Sequence, residues 1–83
     1  MAAYERGEFS AALAEFRRLA LIGNVEAQYN LGLMLVQGQG GPRDLQAAFN
    51  WLETARANGD KDGESILVQL RPMRALDPLV AKR

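Results

Sequence analysis

The chain has 83 residues, the length of one small domain, and its ten Lys and Arg residues are balanced by ten Asp and Glu. A formal charge of zero argues against binding nucleic acid or inserting at an anionic membrane surface. The absence of Cys and His excludes disulfides, thiolate zinc sites and cysteine nucleophiles, and removes the commonest general base and metal ligand.

Residues Met1 to Glu8 are charged by position 5 and contain no apolar signal-peptide core. Leu33 to Val36 is far too short an apolar run to span a bilayer. The chain is therefore expected to be soluble, and a Cys-free sequence suits either the cytoplasm or the periplasm.

Glu8 to Ile22 reads as the first helix. Phe9, Ala12, Leu13, Phe16, Leu19 and Ala20 recur at spacings of three and four, with Glu8 in the first turn and Arg17 and Arg18 in the second half. Gly23 closes it, and Asn24 caps a second helix running to about Gln37, whose core face is Ala27, Leu31, Met34 and Leu35. Gly38 to Arg43 is a break. Asp44 caps a third helix that turns Leu45, Ala48, Phe49, Leu52 and Ala55 inward and ends at Gly59. Asp60 or Asp62 starts a fourth helix through Leu70, with Ile66, Leu67 and Leu70 apolar, and Pro72 ends or kinks it. Asp77-Pro78 reads as a cap followed by a proline at the first helical position, with Leu79 to Lys82 a last turn or a frayed end. No segment alternates apolar and polar residues long enough to be a strand.

The chain repeats itself. Ala12 and Ala48, Phe16 and Leu52, Gly23 and Gly59, and Leu31 and Leu67 are each 36 residues apart. A period of this length signals stacked helix pairs, in which neighbours complete the burial that one pair cannot achieve. Ala27, Gly32, Ala48 and Ala55 let helix axes approach while larger residues fill the grooves.

Ala27, Leu31-Gly32, Gly38, Gly40, Pro42, Asp44, Ala48, Trp51, Ala55 and Gly59 together resemble one complete Sel1-like repeat, a relative of the tetratricopeptide repeat with a Gly-rich insertion between its helices A and B. The resemblance implies an all-α fold: a short α-solenoid of antiparallel helix pairs in a right-handed superhelix. On this reading 1–83 is one domain. Residues 4–23 are a helix-B-like half repeat, 24–59 a complete repeat, 60–71 a degenerate helix A, and 72–83 a C-terminal cap or frayed tail. Leu35, Gly41, Arg56 and Gly63 depart from the family pattern, which predicts looser packing at the second and third helix contacts.

The resemblance also implies a non-catalytic protein-interaction module or adaptor, with no cofactor and no metal. Such repeats are frequent in bacterial secretion, envelope and signalling proteins and in eukaryotic quality-control assemblies. Tyr29, Leu33 and Val36 form a stripe on the second helix, beside its core face. In the family this face lines the concave surface that grips partners, so the candidate site is Glu26, Tyr29, Leu33, Val36 and Gln37, taking a partner peptide or helix. The stripe is equally suited to packing on the segment around Tyr4 or on a second copy of the chain. With one complete repeat and two halves, a homodimer through the open edges is the alternative.

Other motifs read as structure. Trp51 is assigned to the core or its edge rather than to a binding anchor. Gly38-Gln-Gly-Gly lacks both the Gly-Lys-Ser/Thr ending of a phosphate loop and a preceding strand. Asn58, Asp60, Asp62 and Gly63 imitate the opening of a calcium loop, but Gln69 stands where the closing Glu is needed, and the two Asp residues read as helix caps. No His is present to activate Ser10, Thr54 or Ser65.

Overall fold

The computed structural model describes residues 7–75, with side chains as far as residue 70. They form four helices: α1 Phe9–Leu21, α2 Val25–Gln37, α3 Leu45–Ala57 and α4 Glu64–Ala75. No strand occurs among the described residues. Among the described residues, each helix packs on its neighbours in chain order. Short turns fold each helix back on its predecessor, so the architecture is an all-α stack of antiparallel helix pairs, an α-solenoid.

The turns show the repeat most directly. At the end of α1, Gly23 N–H donates to the Ala20 carbonyl at 3.1 Å and Asn24 N–H to the Leu19 carbonyl at 3.0 Å. At the end of α3, Gly59 N–H donates to Arg56 at 3.0 Å and Asp60 N–H to Ala55 at 2.9 Å. Both are Schellman closures, which satisfy helix-end carbonyls and place a left-handed residue after the helix. Gly59 has φ 105°, a backbone that residues with side chains rarely adopt. The next residue then caps the next helix. Asn24 Oδ1 accepts from Ala27 N–H at 2.9 Å, and Asp60 Oδ2 accepts from Gly63 N–H at 2.8 Å. Asp44 caps α3 in the same way, through Ala47 N–H at 3.0 Å.

The core is the set of small and large apolar faces read from the sequence. Ala12, Leu13, Phe16, Ala20, Ala27, Leu31, Met34, Leu35, Ala48, Phe49, Leu52, Leu67 and Leu70 form one buried cluster, with Trp51 half-buried against it. Gly32 sets the distance between α2 and α3. A Cβ there would lie 2.6 Å from Leu52 Cγ and 3.4 Å from the Ala48 carbonyl oxygen. The loop between α2 and α3 folds over the start of α1. A Cβ on Gly40 would overlap the Phe9 carbonyl and lie 2.8 Å from Ser10 N, and Gly40 also has φ 77°.

Three expectations change. Glu8 stands at the N-cap of α1 rather than inside its first turn, its carbonyl accepting from Ala12 N–H at 3.0 Å. Asp60 caps α4, but regular helix begins only at Glu64, because residues 61–63 form a turn closed by the Asp60 carboxylate. Pro72 does not end α4, which continues to Ala75. A proline here deprives the Val68 carbonyl of its helical donor, and Val68 is 54% exposed, so water can take that place. Leu35 and Gly63, two of the positions that depart from the family pattern, are both buried. The turn expected at Asp77-Pro78, the last turn Leu79 to Lys82, and Tyr4 lie outside the described residues.

Candidate partner-binding groove

Helix α2 carries the candidate residues on one flank. Glu26 lies exposed in its first turn, where a carboxylate complements the helix dipole. Tyr29, Leu33 and Val36 are half-buried, with Tyr29 and Val36 packed against the core cluster. Gln37 is the exposed last residue of the helix.

The five residues do not share one cavity. Glu26 and Tyr29 line an open groove of about 450 Å³ together with Val25, Asn30, Asp60 and Asp62. Leu33, Val36 and Gln37 continue along α2 away from it; at 1.5 Å per residue, Val36 sits about 10 Å beyond Tyr29. The groove thus lies at the junction of α2 with the turn into α4. Its walls follow from the repeat: Asp60 is held in place by capping Gly63, and Gly63 leaves room for that carboxylate, since a Cβ there would lie 2.8 Å from Asp60 Oδ2, with Tyr29 Cδ1 at an ordinary 3.7 Å.

Glu26, Asp60 and Asp62 are the charged residues of the lining, and all three are acidic. Partial burial of the Tyr29 phenol, followed by the fields of Asp62 and Asp60, raises its pKa above the ordinary 10.0. Asp60 spends both carboxylate oxygens on backbone N–H groups, of Asp62 at 3.3 Å and of Gly63 at 2.8 Å, which is a capping role rather than the opening of a calcium loop. Exposed Arg56 reaches Glu53 at 2.9 Å and Glu64 at 3.9 Å, a solvated link from α3 to α4.

The sequence reading missed Val25 and Asn30, which flank Glu26 and Tyr29 on α2, and Asp60 and Asp62, which reach the groove from a turn some thirty residues later. It also missed Gln28, which is buried at 3% exposure. The spacing of Gln28 to Leu31 and Leu35 places it on the core stripe, and a polar residue on that stripe is the signal that was available.

Comparison with known proteins agrees with this architecture. The chain is 46% identical over 43 residues to mouse (Mus musculus) DAP3-binding cell death enhancer 1, covering 52% of this chain and 8% of the mouse protein. It is 43% identical over 44 residues to an exopolysaccharide production negative regulator of Rhizobium meliloti (strain 1021), covering 53% of this chain and 16% of that protein. The chain therefore spans only a small part of these relatives. No solved structure matches it significantly. Among the described residues no helix is long and apolar enough to cross a membrane. The profile of the Sel1 repeat, a non-catalytic protein-interaction module, matches residues 25–60, from the first residue of α2 to the cap of α4. The chain carries a Sel1 repeat.

Proposed function

We propose that this chain is an adaptor that seats a partner peptide or helix along the face of α2 bearing Glu26, Tyr29, Leu33, Val36 and Gln37. The observation that carries this reading is the open groove at Tyr29, with the half-buried Leu33 and Val36 farther along the same helix. An aromatic wall beside aliphatic side chains suits the apolar anchors of an amphipathic segment. The groove's acidic lining favours a segment that brings Lys or Arg to its Tyr29 end. The domain plan that accompanies this reading is a half repeat at 4–23, a complete repeat at 24–59, a degenerate helix A at 60–71, and a C-terminal cap or frayed tail at 72–83. The working partner is a protein, with no cofactor required.

Peptides selected from a random display library against the whole chain provide the test. Combined replacement of Tyr29, Leu33 and Val36 by Ser, with helicity retained, abolishes their binding on this reading. Unchanged binding places the site elsewhere.

A second reading is a homodimer formed through the open edges of the stack. It is favoured by Leu21 and Ile22, 71% and 74% exposed at the end of α1, and by Val68 on α4. Light scattering and circular dichroism across one dilution series separate the two. Loss of mass and helix together on dilution means that a second chain completes the stack. A monomer that stays helical leaves the α2 face open to a partner.

A further inference from the structure

Asn58 ends α3 and precedes Gly59, and of Asn24, Asn30, Asn50 and Asn58 it alone is followed by glycine. Its side chain is also the outer member of a relay. Gln28 Nε2 donates to the Ala20 carbonyl at 3.2 Å, and Asn58 Nδ2 donates to Gln28 Oε1 at 3.2 Å. The sense of this relay is fixed by chemistry. A backbone carbonyl only accepts, so Gln28 must turn its NH₂ toward Ala20 and its oxygen toward Asn58, and Asn58 must present a donor. Three helices meet in it: the end of α1, the first half of α2, and the C-cap of α3.

We infer that Asn58 is a deamidation site whose conversion to a carboxylate breaks this relay and loosens the α1–α2–α3 junction. The Gly59 backbone nitrogen, having lost its proton to base, attacks Asn58 Cγ and forms the N–Cγ bond. The C–Nδ2 bond breaks and Nδ2 leaves as ammonia, giving a five-membered imide. Water then adds to one imide carbonyl. Cleavage at Cγ gives aspartate, and cleavage at the main-chain carbonyl gives isoaspartate. The sum is amide plus water to carboxylic acid plus ammonia, with no change of oxidation state. Glycine suits this step because no side chain shields its nitrogen, and the place a Cβ of Gly59 would take has no other residue within 4 Å beyond its chain neighbours.

The fold holds the reaction back. Gly59 N–H is tied to the Arg56 carbonyl at 3.0 Å, and Asn58 is held at ψ 11°, from which ring closure needs a large rotation. The reaction therefore proceeds from conformers in which the α3–α4 turn has opened. The product cannot close again in the same way, because a carboxylate beside Gln28 Oε1 sets acceptor against acceptor. The result is a one-way latch on the junction.

The test incubates the whole chain at mildly alkaline pH, folded and in denaturant, and locates deamidation by peptide mapping and mass spectrometry. Deamidation is expected first at Asn58, at least about tenfold slower in the folded chain, and faster in folded Gln28→Ala, which frees the Asn58 amide. Equal rates folded and denatured, or earlier reaction at Asn24, Asn30 or Asn50, overturn the inference. The product is tested with Asn58→Asp against Asn58→Ala, which removes the donor without adding charge. Asn58→Asp is expected to melt below Asn58→Ala at neutral pH and to regain the difference at acid pH, where the protonated carboxyl again donates to Gln28. Equal melting of the two variants at both pH values overturns the latch.

Discussion

The buried carboxamide of Gln28 donates to the backbone carbonyl of Ala20, 3.2 Å away and eight residues earlier in the chain. Ala20 also receives the Gly23 N–H of the Schellman turn, so the last turn of α1 is bound to its own closure and to the next helix at one oxygen. Replacing Gln28 by Leu keeps the volume but leaves this side-chain bond unmade, while the exposed Asn58 amide turns to water. The expected loss is about 0.5–1.5 kcal/mol, read as a lower urea midpoint at unchanged slope. A melting shift of less than about 4 °C would place the relay below the energy of an ordinary buried hydrogen bond.

The loop between α2 and α3 makes a sharper distinction among glycines than sequence can. Gly38 has φ 70°, and a Cβ there would meet only Arg43 at ordinary contact distance, 3.4 Å or more. Gly38→Ala therefore costs the left-handed backbone penalty alone, about 1–2 kcal/mol. At Gly40 the same change adds a collision with the backbone of Phe9 and Ser10, which cannot rotate out of the way as a side chain can. The expected loss is at least about 3 kcal/mol, and the loop should lift from the start of α1. Amide exchange at Phe9 to Ala12 checks this: faster exchange in Gly40→Ala, with no comparable change in Gly38→Ala, is the expected pattern.

Helix positions and caps were legible because each rests on local chemistry. Asn24 and Asp44 are side-chain caps whose targets lie three residues ahead, and the apolar faces of α1 to α3 follow from a 3.6-residue period. The 36-residue offset carried the fold class, since matching turns recur at Gly23 and Gly59. What was illegible depends on contacts distant in sequence. Asp60 and Asp62 read as caps, and only the fold of the α3–α4 turn back against α2 brings them to Tyr29. Gln28 needed Asn58, thirty positions away, to explain its burial. Pro72 was read by its local rule, which the continued helix to Ala75 overrides.

The Tyr29 phenol offers a check on the groove that needs no partner. Burial and the nearby Asp62 and Asp60 disfavour the phenolate, so the folded chain keeps this proton to higher pH than the unfolded chain. The stability that this gives is fully present below the unfolded value of about 10 and is lost as pH rises through the raised folded value. The chain has two tyrosines, so absorbance titration in a Tyr4→Phe background reports Tyr29 alone. Its midpoint should lie above 10 and fall toward 10 in Asp62→Asn. An unchanged midpoint in that variant would mean that Asp62 is turned away from the ring.

The groove's charge predicts how a bound segment responds to salt and to single substitutions. Asp62 is exposed and its side chain caps no helix, so Asp62→Asn changes the charge of the lining with little effect on the fold. Asp60→Asn retains an oxygen able to accept from Gly63 N–H, as Asn24 does for Ala27, but gives up the acceptor for Asp62 N–H, so this change also disturbs the turn. For a selected peptide bearing Lys or Arg, each substitution should weaken binding by about 0.5–1 kcal/mol at low ionic strength, and the loss should shrink as salt screens the lining. The triple change of Tyr29, Leu33 and Val36 to Ser should act differently, by removing apolar area, and its effect should persist in high salt. Titrations of parent, Asp62→Asn and the triple variant at two ionic strengths distinguish these contributions. If Asp62→Asn binds as the parent does at low salt while the triple variant fails, the apolar stripe of α2 alone holds the partner and the acidic turn plays no part in its choice.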